Sequence, residues 1–453
     1  MNKNILREYD VRGKYPTDIN EEVFTFYGQK YGTYLQKLGY TSIAVGRDVR
    51  LSSETLQKAM IEGLLKSGID VIDLGIISTP MAGCATKILG TASMEITASH
   101  NPKDENGIKM FLKDNFALCG DELREFYKFL DTDEILEGQG NLETKDIFED
   151  YKQLLFDRLT FGNHRLKVVV DCGNGVTSVN VKKIFEGLPF DFTYICDTPD
   201  GNFPMHHPDP IVLDNTIMLR EKVKEIGADF GVGYDGDGDR IGVVDNNGNL
   251  MYTDMLMILL WKCLSYTSIE KRTIYDVKCS PVLTQILEEL KLNYRVYKTG
   301  APLLKNEINR DHIPFGGEYS GHLVFTDKYM GVDDGIYVTL RMLELLSKTN
   351  HSITEILEEV PEYANAGEIK LPTPDEIKFE VVAKMLNYYK SLGRNIIDVD
   401  GLRVEESDYA FCFRASNTGP NITFIPHAKT KELLDKIIKE VEDKYEEIKK
   451  EYQ

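Results

Sequence analysis

Ile43-Ala44-Val45-Gly46-Arg47-Asp48 combines a short apolar run with a glycine-containing turn. Three consecutive apolar residues predict a buried strand. Ser52-Ser53 then supply a cap for a helix that we expect to run to about Lys66. Val71-Ile72-Asp73-Leu74 has the pattern of the next strand. A strand, a helix and a second strand in this order predict a largely parallel sheet, and hence an α/β fold.

The same strand, turn and helix pattern recurs twice further along the chain. Val168-Val169-Val170 precedes Cys172-Gly173-Asn174-Gly175 and a helical stretch, and Thr273-Ile274-Tyr275 precedes a helix that begins after Ser280-Pro281. A chain of 453 residues is too long for a single hydrophobic core. The recurrence therefore predicts three similar α/β domains with mostly parallel sheets.

The pattern changes after about residue 366. Pro372 and Pro374 mark a boundary, and a helix over Val381–Leu392 precedes several short strands. A long charged helix from Thr430 to Glu451 follows them, which is an α+β order. We expect four domains in all, the last a smaller C-terminal α+β domain, at residues 1–145, 146–249, 250–366 and 367–453.

Composition limits the classes of partner. The chain has 53 basic and 73 acidic residues and a net charge of −20, which argues against nucleic acid or an anionic membrane as its partner. Seven scattered cysteines without a C-x-x-C motif predict reduced thiols rather than disulfides or a zinc site. Met1–Asp10 lacks the apolar run of a secretory signal, and Met255–Leu260 is too short to span a membrane. We therefore expect a cytoplasmic protein.

Thr97-Ala98-Ser99-His100-Asn101-Pro102 is the first candidate for chemistry. Pro102 and the nearby Gly107 predict that Ser99 lies on a shaped turn, at the carboxyl end of a strand, where ligands bind in such sheets. A serine hydroxyl needs a base or a metal to act as a nucleophile. His100, Lys109 and a distant acidic cluster could supply that help; the alternative is ordinary turn chemistry.

Asp235-Gly236-Asp237-Gly238-Asp239-Arg240 is the most specific chemical feature. Three carboxylates at alternate positions repel one another unless a cation neutralises them, and oxygen ligands favour Mg²⁺ or Ca²⁺. Arg240 and Asn246 occupy the positions where an EF-hand would need glycine and glutamate, so that motif is excluded. The alternative is a solvated acidic turn.

Two further loops gather polar side chains between glycines. In Gly316–His322, Glu318 and Ser320 could hold vicinal sugar hydroxyls and His322 could move a proton. Arg414-Ala415-Ser416-Asn417-Thr418-Gly419-Pro420 joins a cation to hydroxyl and backbone donors, a combination that suits a phosphate dianion. The alternative is a turn with a structural histidine for the first loop and a capped turn for the second.

These motifs together resemble the α-D-phosphohexomutase superfamily, specifically its bacterial phosphomannomutase/phosphoglucomutase group. The resemblance implies four domains in a heart-shaped arrangement, the first three similar to one another. It covers almost the whole chain, and its motifs stand in the family's order: Arg7–Gly13, Thr97–Pro102, Asn106–Lys109, His206–Pro210, Asp235–Arg240, Glu318–His322 and Arg414–Thr418.

The resemblance implies a role for each motif. Ser99 is the phosphoserine and a metal ligand beside Asp235, Asp237 and Asp239. The residues around the proton transfers are Arg12, His100, Lys109 and His322. The substrate-binding residues are Tyr9, Arg240, Lys298, Glu318 and Ser320, with Arg414, Ser416, Asn417 and Thr418 as the clamp for the non-reacting phosphate.

The implied activity is the interconversion of hexose 1-phosphate and hexose 6-phosphate, of mannose, glucose or both. It uses Mg²⁺ and a hexose 1,6-bisphosphate primer, with sugar phosphates as the partners and a monomer or weak dimer as the assembly. Ala301-Pro302 and Phe424–His427 depart from the family pattern, which leaves the preferred sugar open. The alternatives are a phosphoglucosamine mutase, a phosphoserine-type hexose-phosphate phosphatase and an inactive structural relative; Ala415-Ser416-Asn417 argues against the first.

Overall fold

A computed structural model describes residues 3–416 and 419–452 of the chain. Its strands form four separate sheets of seven, five, four and six strands, which follow one another along the sequence. The expectation of three α/β units followed by a different C-terminal unit is therefore confirmed. Among the described helices, none combines the length and apolar character that a membrane span requires.

The first sheet has the order β1-β5-β4-β2-β3-β7, with β6 paired to β5. Asn20 caps the first long helix: its side chain accepts a hydrogen bond from the backbone N–H of Val23. The elements of this region are β1 (Val11–Lys14), α1 (Glu21–Lys37), β2 (Ser42–Arg47), α2 (Ser53–Lys66), β3 (Asp70–Ile76), α3 (Thr79–Ile88), β4 (Ala92–Ile96), β5 (Glu105–Leu112), β6 (Phe116–Ala117), α4 (Gly120–Leu130), β7 (Leu142–Thr144) and α5 (Phe148–Phe156).

The second and third sheets have the orders β12-β11-β10-β8-β9 and β14-β13-β15-β16. Their elements are β8 (Lys167–Asp171), α6 (Thr177–Phe185), β9 (Asp191–Ile195), α7 (Ile217–Ile226), β10 (Phe230–Tyr234), β11 (Ile241–Val244), β12 (Leu250–Met251), α8 (Thr253–Leu264), β13 (Arg272–Asp276), α9 (Pro281–Glu289), β14 (Asn293–Tyr297), α10 (Ala301–Asp311), β15 (Phe315–Gly317), β16 (Leu323–Phe325), α11 (Gly335–Leu346) and α12 (Ile353–Ile356).

The fourth sheet has the order β17-β22-β21-β20-β19, with β18 paired to β22, and its described pairs are antiparallel. Tyr389, Phe411 and Tyr445 belong to an apolar core of its own. The elements are β17 (Ala364–Asn365), β18 (Ile369–Pro372), α13 (Lys378–Ser391), β19 (Ile396–Ile397), β20 (Leu402–Glu405), β21 (Tyr409–Ala415), β22 (Asn421–Ala428) and α14 (Lys431–Lys449).

The first three sheets are mixed rather than uniformly parallel. Parallel pairs join β4, β2 and β3 in the first sheet, β10, β8 and β9 in the second, and β14, β13 and β15 in the third. An antiparallel partner then follows the last of these parallel strands in each sheet: β5 after β4, β11 after β10 and β16 after β15. The loops of these three hairpins, and the loop between β21 and β22, are the four motif-bearing segments of the sequence.

Candidate active site

Ser99 lies on a tight turn between β4 and β5. Its backbone is left-handed, with φ of 50°, and its backbone N–H donates to Thr97 Oγ1 at 2.9 Å. The Ser99 hydroxyl donates to Asp235 Oδ2 at 2.8 Å, and His100 Nδ1 lies 3.2 Å from the same Oγ. The turn predicted at Ser99 is present, and it aims the hydroxyl at the acidic loop of the second sheet.

Arg50, in the loop after β2, holds this turn through hydrogen bonds to its backbone. Its two terminal nitrogens donate to four backbone carbonyls, those of Ser99, Asn101 and Pro102 at 2.7 Å each and that of Glu105 at 3.0 Å. Its Nε lies 3.2 Å from Asp48 Oδ2, and both side chains are buried. By holding four carbonyls of residues 99–105 at one point, this guanidinium fixes the path of the loop.

Asp235, Asp237 and Asp239 form a buried cluster in which one oxygen of each lies within 4.8 Å of the others. Asp235 Oδ1 accepts from the backbone N–H groups of Gly238 and Arg240, both at 3.1 Å. Lys109 Nζ bridges Asp237 Oδ2 at 2.7 Å and Asp239 Oδ2 at 2.5 Å. The predicted convergence of the three carboxylates is therefore seen in the fold.

The electrostatics of this cluster favour a bound cation. Burial, together with the negative charges of Asp237 and Asp239, raises the pKa of Asp235 well above its usual range. Burial alone would lower the pKa of Lys109, but Asp237 and Asp239 raise it instead, so Lys109 is an ammonium. Lys109 and Arg240, whose Nε lies 3.9 Å from Asp235 Oδ2, leave the pKa of Asp235 raised, so they do not fully offset the three carboxylates. A hard divalent ion would.

Two oxygens of the cluster also lack hydrogen-bond donors among the described residues, as expected of metal ligands. Asp237 Oδ1 and Asp239 Oδ1 are buried and accept no hydrogen bond within the described part of the chain. Buried carboxylate oxygens without donors are costly unless a cation coordinates them. Their oxygen chemistry, with Ser99 Oγ beside them, fits Mg²⁺.

His322 and Arg240 are linked in a buried chain of contacts. Arg240 Nε donates to His322 Nε2 at 3.0 Å, and His322 Nδ1 donates to Asp333 Oδ2 at 3.0 Å, which places the ring proton on Nδ1. Lys305 Nζ pairs with the other oxygen of Asp333 at 2.9 Å. Both ring nitrogens of His322 are thus engaged, so in this arrangement it orients Arg240.

The loop between β15 and β16 brings Glu318 and Ser320 to the cleft. Lys278 Nζ lies 3.3 Å from Glu318 Oε1 and 3.8 Å from Asp276 Oδ2. Burial would raise the pKa of Glu318, but the charge of Lys278 lowers it below its usual value. Glu318 is thus an ionised acceptor that suits a sugar hydroxyl.

Tyr9 and Arg12 close the cleft on the side of the first sheet. Arg12 Nε donates to Asp10 Oδ2 at 2.9 Å and its NH1 donates to the Thr97 carbonyl at 3.0 Å. Tyr9 donates its hydroxyl to the Thr299 carbonyl at 3.0 Å, across to the third sheet.

Arg414, near the end of β21, lines the same cleft as Ser99. Its Nε donates to Asp400 Oδ2 at 2.8 Å, while its NH2 is buried and donates to no acceptor in the described part of the chain. Asp400 thus orients the guanidinium and leaves one edge for an anion. Ser416 lines the cleft beside it; Asn417 and Thr418 lie outside the described residues.

A single cleft of about 890 Å³ joins these loops. Of the predicted site residues, Lys298 is placed elsewhere: it lines a second cavity of about 240 Å³ between α4 and α10, while its neighbours Thr299 and Gly300 line the cleft. The side chain of Lys298 follows β14 and lies near the Tyr297 ring, away from the substrate space. The structure therefore brings the neighbours of Lys298 to the cleft, and not this side chain.

Sequence reasoning missed several residues of the site. Lys278, Lys305 and Lys370 line the cleft, and Arg50 holds the serine turn. Lys278 follows the carboxyl end of β13, so the rule that ligands bind at strand ends could have found it. The other three lie outside the recognised motifs, and only the folded chain brings them to the site.

A serine turn, an acidic loop, a polar loop and an arginine loop that converge on one cleft from four successive sheets define the α-D-phosphohexomutase superfamily. Comparison with known proteins gives the family. Profiles described as phosphoglucomutase/phosphomannomutase, alpha/beta/alpha domains I, II and III, match residues 3–135, 150–248 and 252–363. The chain belongs to the phosphoglucomutase/phosphomannomutase family, and the resemblance drawn from its motifs is confirmed.

Individual relatives agree with this assignment over nearly the whole chain. A phosphomannomutase/phosphoglucomutase of Pseudomonas syringae pv. tomato is 34% identical over 96% of this chain and 93% of its own length. A phosphomannomutase of Methanocaldococcus jannaschii is 31% identical over 97% of each. A crystal structure of a phosphoglucomutase/phosphomannomutase family protein from Burkholderia thailandensis superposes with a TM-score of 0.91 at 31% identity, covering 99% of this chain and 98% of that one.

Proposed function

We propose that this protein interconverts hexose 1-phosphates and hexose 6-phosphates of glucose, mannose or both, through a phosphorylated Ser99 and a hexose 1,6-bisphosphate. The observation that carries the proposal is the 2.8 Å contact of Ser99 Oγ with the buried aspartate cluster, in the same cleft as Arg414. In this proposal, residues 1–145, 146–249, 250–366 and 367–453 act as four domains that each supply one loop.

Each half-reaction exchanges one bond to phosphorus for another. The bond from Ser99 Oγ to phosphorus breaks, a bond from the sugar hydroxyl to phosphorus forms, and the hydroxyl proton ends on Ser99 Oγ. Burial, with the positive charges of Arg240 and Arg12, lowers the pKa of His100 well below its usual value, so its ring is neutral at neutral pH. At 3.2 Å from Oγ, a neutral imidazole is placed to exchange this proton.

The aspartates and the cations around them supply the remaining catalysis. Asp235, Asp237 and Asp239 would hold Mg²⁺, which would polarise the transferring phosphoryl group. Arg12 and Lys109 lie beside Ser99 and offset the charge of its phosphate. Catalysis is then mainly positioning and charge neutralisation.

The substrate is held at both ends. Glu318 and Ser320 bind sugar hydroxyls, and Arg414 with Ser416 binds the phosphate that is not reacting; Asn417 and Thr418 complete this clamp in the proposal. A cleft of about 890 Å³ leaves room for a bisphosphate to turn over between the half-reactions. Either phosphate of the intermediate can then return to Ser99.

One assay panel tests the activity. Glucose 1-phosphate, mannose 1-phosphate and glucosamine 1-phosphate are each incubated with Mg²⁺ and a hexose 1,6-bisphosphate, and both 6-phosphate and free phosphate are measured. We expect 6-phosphate from the first or second substrate. Free phosphate in its place would indicate a phosphatase, preference for glucosamine 1-phosphate would indicate the amino-sugar mutase, and no turnover of any substrate would contradict the proposal.

Two variants test the assigned roles. Ser99→Ala should lose at least about a thousandfold in rate because no covalent donor remains, and mass spectrometry of the active protein should find phosphate on Ser99. Asp237→Asn should raise the Mg²⁺ concentration required for half-maximal activity by about tenfold or more. Asp245→Asn, just after β11, is the matched control and should leave that concentration unchanged.

A further inference from the structure

A second cluster of metal-binding side chains lies one strand away from the aspartate loop. Asp171 is the last residue of β8, Cys196 directly follows β9, and His206 stands on the loop that leads to α7. One potential ligand atom from each lies within 4.8 Å of the others. Because β8 and β9 are adjacent parallel strands, their carboxyl ends form the edge of a sheet where ligands bind.

The orientation of each side chain is fixed by hydrogen bonds from outside the cluster. His206 Nδ1 contacts the His207 carbonyl at 3.0 Å, so it carries a proton and Nε2 faces the cluster. His206 Nε2 lies 3.0 and 3.2 Å from the two oxygens of Asp171. Asp171 Oδ1 in turn accepts from the backbone N–H of Gly173 at 2.9 Å. Histidines that bind metals have this arrangement, with the second nitrogen donating to a carbonyl.

The backbone at Cys196 adds an independent sign of a specialised site. Cys196 is a left-handed non-glycine residue, with φ of 48°, and its carbonyl accepts from the Asn174 backbone N–H at 2.8 Å. Such strained conformations persist where the surrounding structure requires a particular direction of the side chain. The thiol of Cys196 lies within 4.8 Å of the ligand atoms of Asp171 and His206, and Cys196 and His206 are only partly buried.

The spacing of the three ligands suits a tetrahedral ion. Bond lengths of about 2.3 Å to sulfur and 2.0–2.2 Å to nitrogen and oxygen place neighbouring tetrahedral ligands about 3.4 Å apart. The separations of 3.0 and 3.2 Å between imidazole and carboxylate need to open by only a few tenths of an ångström. A fourth position would be left for water.

We propose that Asp171, Cys196 and His206 form a binding site for a divalent transition-metal ion of the Zn²⁺ type, separate from the Mg²⁺ site of the aspartate loop. Thiolate and imidazole ligands select such ions against Mg²⁺, whereas three carboxylates do the reverse. Binding releases the thiol proton of Cys196 and the proton between His206 Nε2 and Asp171. The sequence shows no C-x-x-C motif at this site, because its three ligands are 25 and 10 residues apart.

Two contacts connect the segments that carry Asp171 and His206 with residues around the catalytic cleft. The Val176 backbone N–H, after the turn that follows Asp171, donates to the Gly236 carbonyl of the aspartate loop at 3.0 Å. Phe203, in the segment between Cys196 and His206, lies under the Arg50 guanidinium at 5.2 Å. An ion that joins β8, β9 and the His206 loop would therefore brace the segment that packs against the serine turn.

Cobalt substitution tests the site directly. Full-length protein, stripped of metals with a chelator and supplied with excess Mg²⁺, is titrated with Co²⁺ while the near-ultraviolet absorbance is recorded. We expect a thiolate-to-cobalt charge-transfer band that saturates at one equivalent and is abolished by Zn²⁺. The aspartate loop has no sulfur ligand and cannot give this band.

Matched variants assign the band to its ligands. Cys196→Ser should abolish it and His206→Gln should weaken Co²⁺ and Zn²⁺ binding by at least about tenfold. Cys263→Ser is the control because Cys263 is the other partly buried cysteine and should keep the band. Absence of the band in the parent protein, its survival in Cys196→Ser or its loss in Cys263→Ser would overturn the proposal. If Cys196→Ser does not fold, His206→Gln with unchanged Zn²⁺ affinity in a chelator competition would overturn it equally.

Discussion

At the scale of single residues, the serine turn depends on Arg50, a cation that does not line the cleft. Arg50 is buried, and its guanidinium donates to four carbonyls of residues 99–105 while Asp48 balances its charge. Burial lowers the pKa of Arg50 and raises that of Asp48, so each depends on the other to stay charged. A loop held through its carbonyls keeps Ser99 in place regardless of which side chains line the turn.

Arg50→Lys should therefore damage catalysis more than binding. An ammonium keeps the charge beside Asp48 but cannot reach four carbonyls at once. We expect kcat to fall about a hundredfold, as for an ångström-scale displacement of a reacting group, with KM nearly unchanged and a loss of about 2–3 kcal/mol in the free energy of unfolding. Steady-state kinetics and urea unfolding measure the two effects. Arg47→Lys, at the last residue of β2, is the control. Equal effects from both variants would contradict this role of Arg50.

The pair of His206 and Asp171 predicts a pH dependence of stability in the metal-free protein. Burial alone would lower the pKa of His206, but hydrogen bonds to Asp171 and Cys196 raise it from 6.5 to about 10. Since the folded state binds this proton more tightly, the stabilisation is fully present below pH 6.5 and is lost as the pH rises through about 10. Urea unfolding in chelator should show a gap between parent and His206→Gln that shrinks from pH 6 to pH 10. A gap that stays constant, or widens, would show that the pair does not titrate in this way.

At the scale of secondary-structure elements, the β-hairpin is the unit that carries the polar loops of the cleft. The loops after β4, β10, β15 and β21 each lie between antiparallel partners, and each leads into the cleft. An antiparallel return strand fixes both ends of its loop, so the loop's polar groups are held more precisely than on a free crossover. Three of these hairpins begin on the last strand of a parallel group, which explains why the active-site motifs recur with the sheets.

Gly107 shows how tightly one of these hairpins is packed. It lies on β5 opposite Arg12 of β1, and a Cβ added there would meet the Val11 carbonyl oxygen at 2.0 Å and the Thr97 carbonyl oxygen at 3.1 Å. Backbone atoms cannot move aside cheaply, so the strand must shift.

Gly107→Ala should therefore lower the free energy of unfolding by about 1–3 kcal/mol and also reduce kcat, because Arg12 and the Thr97–Ser99 segment move together. Thermal unfolding and kinetics measure both quantities. Gly233→Ala, on β10, is the matched control, because its added Cβ would meet nothing closer than 3.3 Å. A fully stable, fully active Gly107→Ala protein would show that the strand has more freedom than this packing allows.

Local pattern sufficed for most elements and for the motif loops. Local sequence predicted α2 and α14 to within a few residues, and Ser52 and Thr430 stand at their N-cap positions in the structure. The antiparallel edge strands were not predicted, because pairing direction depends on neighbours that are distant in sequence. Arg50 was missed for the same reason: its partners lie 49 to 55 residues away. Lys298 lines the second cavity while Thr299 and Gly300 line the cleft, because a motif fixes a backbone segment and not the direction of each side chain.

At the scale of the whole molecule, the fourth sheet is joined to the third by a small number of buried polar contacts. Arg403 donates to the carbonyls of Val277 at 2.7 Å and Cys279 at 2.6 Å, on either side of Lys278. Asp400 accepts from the Thr299 backbone N–H at 3.0 Å while it orients Arg414. The loop that carries Arg414 and the segment that carries Lys278 are thus connected through polar contacts.

Arg414→Ala should weaken the binding of 1-phosphate and 6-phosphate substrates by a similar factor. In the proposed mechanism the reacting phosphoryl group lies at Ser99, so the other phosphate must bind elsewhere in the cleft, whichever isomer is bound. The Arg414 edge that has no acceptor within the described part of the chain is the cation placed there. A charge-assisted contact of about 2–3 kcal/mol corresponds to about thirty- to a hundredfold in affinity.

Measurement of KM and kcat for both phosphates distinguishes a shared clamp from a site for one isomer. Loss of the clamp also removes the contact that draws the fourth sheet toward the sugar, so kcat should fall together with affinity, and phosphorylation of Ser99 by a bisphosphate should slow. Arg394→Ala removes a partly exposed arginine from the same sheet region and should change none of these values. An effect of Arg414→Ala on only one isomer would mean that the bisphosphate does not present its two ends to the same clamp, and the turnover of the intermediate within a single cleft would have to be abandoned.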